Sequence, residues 1–89
     1  MISLGIRCFG RVQGVFYRAS TKEKADELGL LGWVKNEPEG TVLIHVEGTK
    51  ENVDELINWC RRGPQFARVD KVDFWEEEEE GSASFEVRR

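Results

Sequence analysis

The stretch "FGRVQGVFYRAS", Phe9–Ser20, stands where one periodicity gives way to another. Before it, Ile2, Leu4, Ile6 and Cys8 alternate with Ser3, Gly5, Arg7 and Phe9. That is the period of a strand with one face buried. After it, Tyr17, Thr21, Ala25 and Leu28 recur at i, i+4, i+8 and i+11, one face of a helix, and Gly29 supplies a stop. The stretch itself contains Gly10, Gly14, Arg11 and Arg18 and no acidic residue. It reads as a glycine-bracketed, basic turn from a strand into a helix.

The pattern then continues outward. "LLGWVKN", Leu30–Asn36, reads as a second strand and "NEPEG" as a turn, with Pro38 presetting φ and Gly40 free to adopt φ > 0. "TVLIHVEG" is a third strand: Val42, Ile44 and Val46 face one way, Leu43, His45 and Glu47 the other, and the two strands should form a hairpin. Thr49 is a helix cap, and Val53, Leu56, Ile57 and Cys60 at i, i+3, i+4 and i+7 form the clearest helical stripe of the chain. Gly63-Pro64 ends that helix. "ARVDKVDFW", Ala67–Trp75, is a fourth strand, Glu76–Glu80 with Gly81 an expected solvated hairpin tip, and "ASFEVRR" a short last strand with Phe85 and Val87 inward. The order is βαββαβ plus a short C-terminal strand, over a single domain of residues 1–89. It predicts an α+β, ferredoxin-like two-layer sandwich, a mainly antiparallel sheet with two helices on one face.

Composition narrows the partners. The chain has 39% hydrophobic and 34% charged residues, ordinary for a folded soluble protein. No apolar run reaches the ~18–20 residues of a membrane span, and "MISLGIRCFG" is no signal peptide, so a cytoplasmic protein with no membrane partner is expected. Net charge −4 argues against a nucleic-acid binder that neutralises many phosphates, though not against one small anion site. Cys8 and Cys60 form no CxxC pair and are expected as reduced core thiols; with one histidine there is no metal-ligand cluster. No exposed apolar stripe stands out, and a monomer is the expectation.

The turn has a chemistry of its own. Glycines between a strand and a helix let successive backbone N–H groups converge on one concavity, and the helix adds its free N–H groups and the positive end of its dipole. In this reading Val12 and Val15 pin the loop to the core, and Arg18 folds its planar guanidinium over a bound phosphoryl group. The plainer reading is a bare turn beside a solvated arginine. Asn36, at the end of the second strand, is suited to begin a turn; its amide also has one donor and one acceptor with which to hold a water. His45 is expected at the surface, and Trp33, Trp59, Trp75 and the phenylalanines as core or half-buried packing.

The two motifs together resemble the acylphosphatase family. The resemblance is carried by "GRVQGVFYR" at Gly10–Arg18, "LGLLGWVKN" at Leu28–Asn36, "GTV" at Gly40–Val42 and "RRGPQFARVDKV" at Arg61–Val72. It runs from about Leu4 to Val87 and is closest to the small stand-alone members. It implies a ferredoxin-like fold. It also implies hydrolysis of acyl phosphates to a carboxylate and inorganic phosphate, without metal or cofactor and without a covalent intermediate. Residue by residue it implies that the loop Gly10, Arg11, Val12, Gln13, Gly14, Val15 and Phe16 cradles the phosphate, that Arg18 binds it, and that Asn36 orients the attacking water. "VFYR" stands where many members have "VGFR" or "VFFR". Glu37 follows Asn36 where some have a small hydroxyl residue, and a carboxylate there is expected to repel an anionic substrate. Two rival readings are a non-catalytic anion sensor on the same fold and an RNA-binding sheet. The latter requires exposed aromatics and a basic sheet.

Overall fold

The computed structural model describes residues 1–89. Its elements follow the order β1 (Ile2–Arg11), α1 (Tyr17–Glu27), β2 (Leu31–Asn36), β3 (Val42–Gly48), α2 (Lys50–Arg62), β4 (Arg68–Glu76) and β5 (Phe85–Arg88). They build one sheet in the order β4-β1-β3-β2-β5. All neighbours are antiparallel except β2 and β5, which run parallel. This is the expected α+β architecture of ferredoxin-like type. Ile6, Ile44 and Val34 on the sheet meet Tyr17 and Ala25 of α1 and Val53, Leu56 and Cys60 of α2 in one buried core. Cys8 and Cys60 are both buried there and free of a disulfide, as expected.

The local signals act where the sequence puts them. Thr49 caps α2 by accepting a hydrogen bond from the Asn52 amide at 3.3 Å. Gly29, Gly40 and Gly63 hold φ of 68°, 101° and 69°, the left-handed region that stops a helix or closes a turn at little steric cost to glycine. Strand β1 is longer than the alternation suggests. It runs past Phe9 through a β-bulge at Phe9/Gly10, so that Gly10 and Arg11 still pair with Val69 and Arg68 of β4. The loop proper is therefore Val12–Phe16.

The face of the sheet away from the helices differs from expectation. His45 is fully buried, as is its neighbour Glu47 at 1% exposure. The acidic run is no hairpin tip either. Strands β4 and β5 lie at opposite edges of the sheet, so the chain between them must cross its open face. Residues 77–84 form this strap. Beneath it, strand register aligns Trp75, Gly5, His45 and Trp33 in one row across four strands. A Cβ on Gly5 would come within 2.5 Å of the Trp75 ring, so the indole needs glycine under it. Strap glutamates close the row: Trp75 Nε1 donates to Glu77 at 2.9 Å and Trp33 Nε1 to Glu80 at 3.0 Å. His45 Nδ1 lies 2.7 Å from Glu77 and its Nε2 2.6 Å from Glu47. The backbone amides of Glu80 and Ser82 donate to Glu47 at 2.7 and 3.2 Å.

Aromatic packing also departs from expectation in places. Trp33 and Trp59 are half-buried, but Phe16, Phe66 and Phe74 are exposed at 76%, 68% and 51%. Val87 points only partly inward, at 43% exposure, whereas Phe85 is buried.

Candidate active site

The loop Val12–Phe16 is anchored from below. Val12 and Val15 are buried, and Tyr17, the first residue of α1, fills the core. The Tyr17 hydroxyl donates to the Cys60 carbonyl at 2.7 Å. Burial, then the neighbouring thiols, push its pKa far up, so it stays a neutral phenol. Gly14 and Phe16 both adopt left-handed backbone, φ 74° and 63°. A turn of this kind can gather successive N–H groups around a concavity.

The amides of this turn have no partner within the protein. No backbone carbonyl accepts a hydrogen bond from any N–H between Val12 and Ala19; the first donor after the loop is Ser20, to Phe16 at 3.0 Å. The side chains that accept from backbone amides do so from Asn52, Glu80 and Ser82 only. The loop and the first turn of α1 thus present a continuous run of unpaired donors at the positive end of the helix dipole.

Of the residues singled out in the sequence, Val12, Gly14, Phe16, Arg18 and Asn36 line one cleft of about 290 Å³. Tyr17, Ala19 and Val87 complete it. Gly10, Arg11, Gln13 and Val15 do not line it. Gly10 and Arg11 belong to the β1–β4 ladder. The Gln13 side chain donates to the carbonyls of Glu37 at 2.8 Å and Thr41 at 2.9 Å, tying the loop to the β2–β3 turn that follows Asn36. Arg18 Nη1 donates to the Arg88 carbonyl of β5 at 2.9 Å, which steadies the guanidinium.

Asn36 closes the cleft from β2. Its Oδ1 is buried without a hydrogen-bond partner in the protein. A buried acceptor left unpaired costs ~1–3 kcal/mol, and a water held in the cleft removes that cost. Glu37 is turned to other use: it pairs with Arg7 at 3.4 Å and Lys35 at 3.8 Å and does not line the cleft. A larger cavity, about 760 Å³, lies between β1, β4 and the start of α2. Its charged residues are Lys50 against Asp54, Glu76 and Glu77, a balance that disfavours an anion.

Reading residue types alone missed Tyr17, Ala19, Val87 and the Arg88 carbonyl. The signal for the last two was weak, because a four-residue strand gives no indication of which distant strand it joins.

The architecture is that of the ferredoxin-like α+β proteins. A family model described as acylphosphatase matches residues 4–87. The acylphosphatase of Rubrobacter xylanophilus is 54% identical over 80 residues, 89% of this chain and 73% of that protein. That of Methylococcus capsulatus is 61% identical over 64 residues, 72% of this chain and 70% of that protein. The crystal structure of acylphosphatase from Bacillus subtilis superposes over the whole of both chains, with a TM-score of 0.96 at 32% identity. The chain belongs to the acylphosphatase family, and with it to the hydrolases. No helix is long and apolar enough to cross a membrane.

Proposed function

We propose that the chain hydrolyses acyl phosphates, with the amides of the Val12–Phe16 loop and Arg18 holding the phosphate and Asn36 orienting the attacking water. The observation that carries this reading is that the run Val12–Ala19, whose amides have no partner within the protein, lines one cleft through Val12, Gly14, Phe16, Arg18 and Ala19 together with Asn36, whose Oδ1 is buried and unpartnered. Family membership supports the substrate class.

In the reaction a water oxygen bonds to phosphorus while the bond from phosphorus to the acyl oxygen breaks. The carboxylate leaves as a weak base and needs no acid to protonate it. The proton of the water passes to a phosphate oxygen of the substrate. The protein's part is position and charge stabilisation. Amides and guanidinium sit where negative charge accumulates and need no reorganisation. The cleft lining contains no free nucleophilic side chain: its one hydroxyl, Tyr17, is committed to Cys60. A single displacement without a covalent intermediate fits that lining. On the rival RNA-binding reading, bases would stack on the open sheet face, and here that face lies under the carboxylates of the strap.

The test is the initial rate of benzoyl phosphate hydrolysis in EDTA, with inorganic phosphate inhibition measured alongside. Arg18→Ala and Asn36→Ala should each lower turnover at least ~100-fold, the scale for losing one preorganised group. Arg18→Ala should also weaken phosphate inhibition, and Asn36→Ala should leave it nearly intact. A folded wild type that binds phosphate but turns nothing over would favour the anion sensor instead.

A further inference from the structure

Phe16 is the only non-glycine residue with positive φ, 63°, and it is 76% exposed. Left-handed backbone is strained for a residue with a Cβ, and a bare phenyl ring gains nothing from burial. The core at this point is filled by the next residue, Tyr17, at 1% exposure. An outlier that folding does not need points to a role in function. Phe16 lines the cleft, together with Ala19 from the first turn of α1 and Val87 from β5. Val87 is 43% exposed, a second apolar side chain left open at the same place.

These walls have no use for a phosphate. The phosphate-holding groups are the amides and Arg18, yet five of the eight residues lining the cleft are hydrophobic. No carboxylate is among them, and Arg18 is the sole charged one. At about 290 Å³ the cleft is at the small end of the ~300–1,000 Å³ range of ligand sites, enough for a phosphoryl group and one ring but no nucleotide.

We infer that Phe16, Ala19 and Val87 form the subsite for the acyl group, selecting acyl phosphates with a flat, uncharged, aromatic substituent over small aliphatic ones. This rests on the acyl phosphate hydrolysis proposed above and names its substrate class. The phosphate, gripped by the loop amides, places the carbonyl carbon at the mouth of the cleft. The substituent then lies against the phenyl ring, offset-stacked or edge-on. Phe16 contributes its main-chain N–H to the loop and its side chain to selectivity.

The test compares kcat/KM for benzoyl phosphate and acetyl phosphate in wild type, Phe16→Asn, Phe16→Trp and Val87→Ser. Asparagine tolerates left-handed backbone and so removes the ring while keeping the loop. Phe16→Asn should lower the benzoyl-to-acetyl ratio about three- to tenfold, the equivalent of one aromatic pair, with KM carrying most of the change. Phe16→Trp should retain the ratio, and Val87→Ser should lower it by a smaller factor. A wild type active on both substrates whose ratio is unmoved by Phe16→Asn overturns this inference alone. A wild type that hydrolyses neither overturns the proposed function and this inference with it.

Discussion

Gly10 and Gly14 bracket one loop but answer to different constraints. At Gly10, φ is 119° and a Cβ would lie 2.2 Å from the Arg68 carbonyl oxygen and 2.8 Å from the Asp70 amide nitrogen. Those are backbone atoms of the neighbouring strand, and they move only if the bulge opens. At Gly14, φ is 74° and a Cβ would meet nothing within 4 Å. Gly10→Ala should therefore cost about 2–4 kcal/mol, strain plus overpacking, and Gly14→Ala about 1 kcal/mol, strain alone. Urea unfolding of the two variants gives the comparison; equal midpoints would mean that the bulge relaxes freely. The loop was legible in the sequence because its chemistry is local: glycine spacing, a basic residue at a helix start, an amide at a strand end. His45 was not. Alternation along Val42–Val46 assigns His45 to the face opposite the core, but says nothing of what covers that face.

The strap from Glu77 to Ser84 is the element that covers it, and it turns a charge run into a buried polar network. A carboxylate only accepts hydrogen bonds, so a histidine bonded to a carboxylate through each nitrogen donates from both and carries a charge. Burial on its own opposes that charge, but the hydrogen bonds to Glu47 and Glu77 and the nearby Glu80 outweigh it and raise the pKa above the ordinary 6.5. Burial likewise opposes the Glu47 carboxylate. Bonds from His45 and from the amides of Glu80 and Ser82 outweigh it, and its pKa falls below the ordinary 4.5. The His45 contribution is complete below pH 6.5 and drains as pH rises through its raised value. The Glu47 contribution is complete above pH 4.5 and drains as pH falls through its lowered value. Stability should exceed that of a His45→Leu/Glu47→Leu double variant by most between those pH values, and the margin should shrink as pH rises through the raised His45 value. Thermal unfolding across that range checks it; a margin independent of pH would contradict a charged His45. The single variant His45→Leu, which strands the buried Glu47 carboxylate, should cost about 3–5 kcal/mol, more than the double. In the sequence, five consecutive glutamates carry no period, and only the order of strands in the sheet shows that they must cross it.

At the scale of the whole molecule, that order joins the strap to the cleft. Residues 77–84 run straight into β5, and the Gly32 amide holds the junction through the Ser84 carbonyl at 3.1 Å. Strand β5 contributes Val87 to the cleft and, through the Arg88 carbonyl, the hydrogen bond that steadies Arg18. It is a short edge strand of four residues, paired on one side only, and it depends on its neighbours for its place. On the opposite side of the sheet, Arg88 stacks over Trp33 at 4.8 Å, and Trp33 stacks in turn on His45 at 5.9 Å. Loosening the network under the strap should therefore loosen β5 and let the Arg18 guanidinium wander. At a temperature where it remains folded, His45→Leu should raise KM for acyl phosphates about two- to tenfold, the usual scale for coupling through packed networks. Both benzoyl and acetyl phosphate should suffer, since the proposed function gives Arg18 the phosphate that both share, and benzoyl phosphate should suffer at least as much, since β5 also carries Val87 of the inferred acyl subsite. Steady-state kinetics on the two substrates tests this. A His45→Leu protein that is folded, less stable and unchanged in KM would show that β5 keeps Arg18 in place without help from the strap.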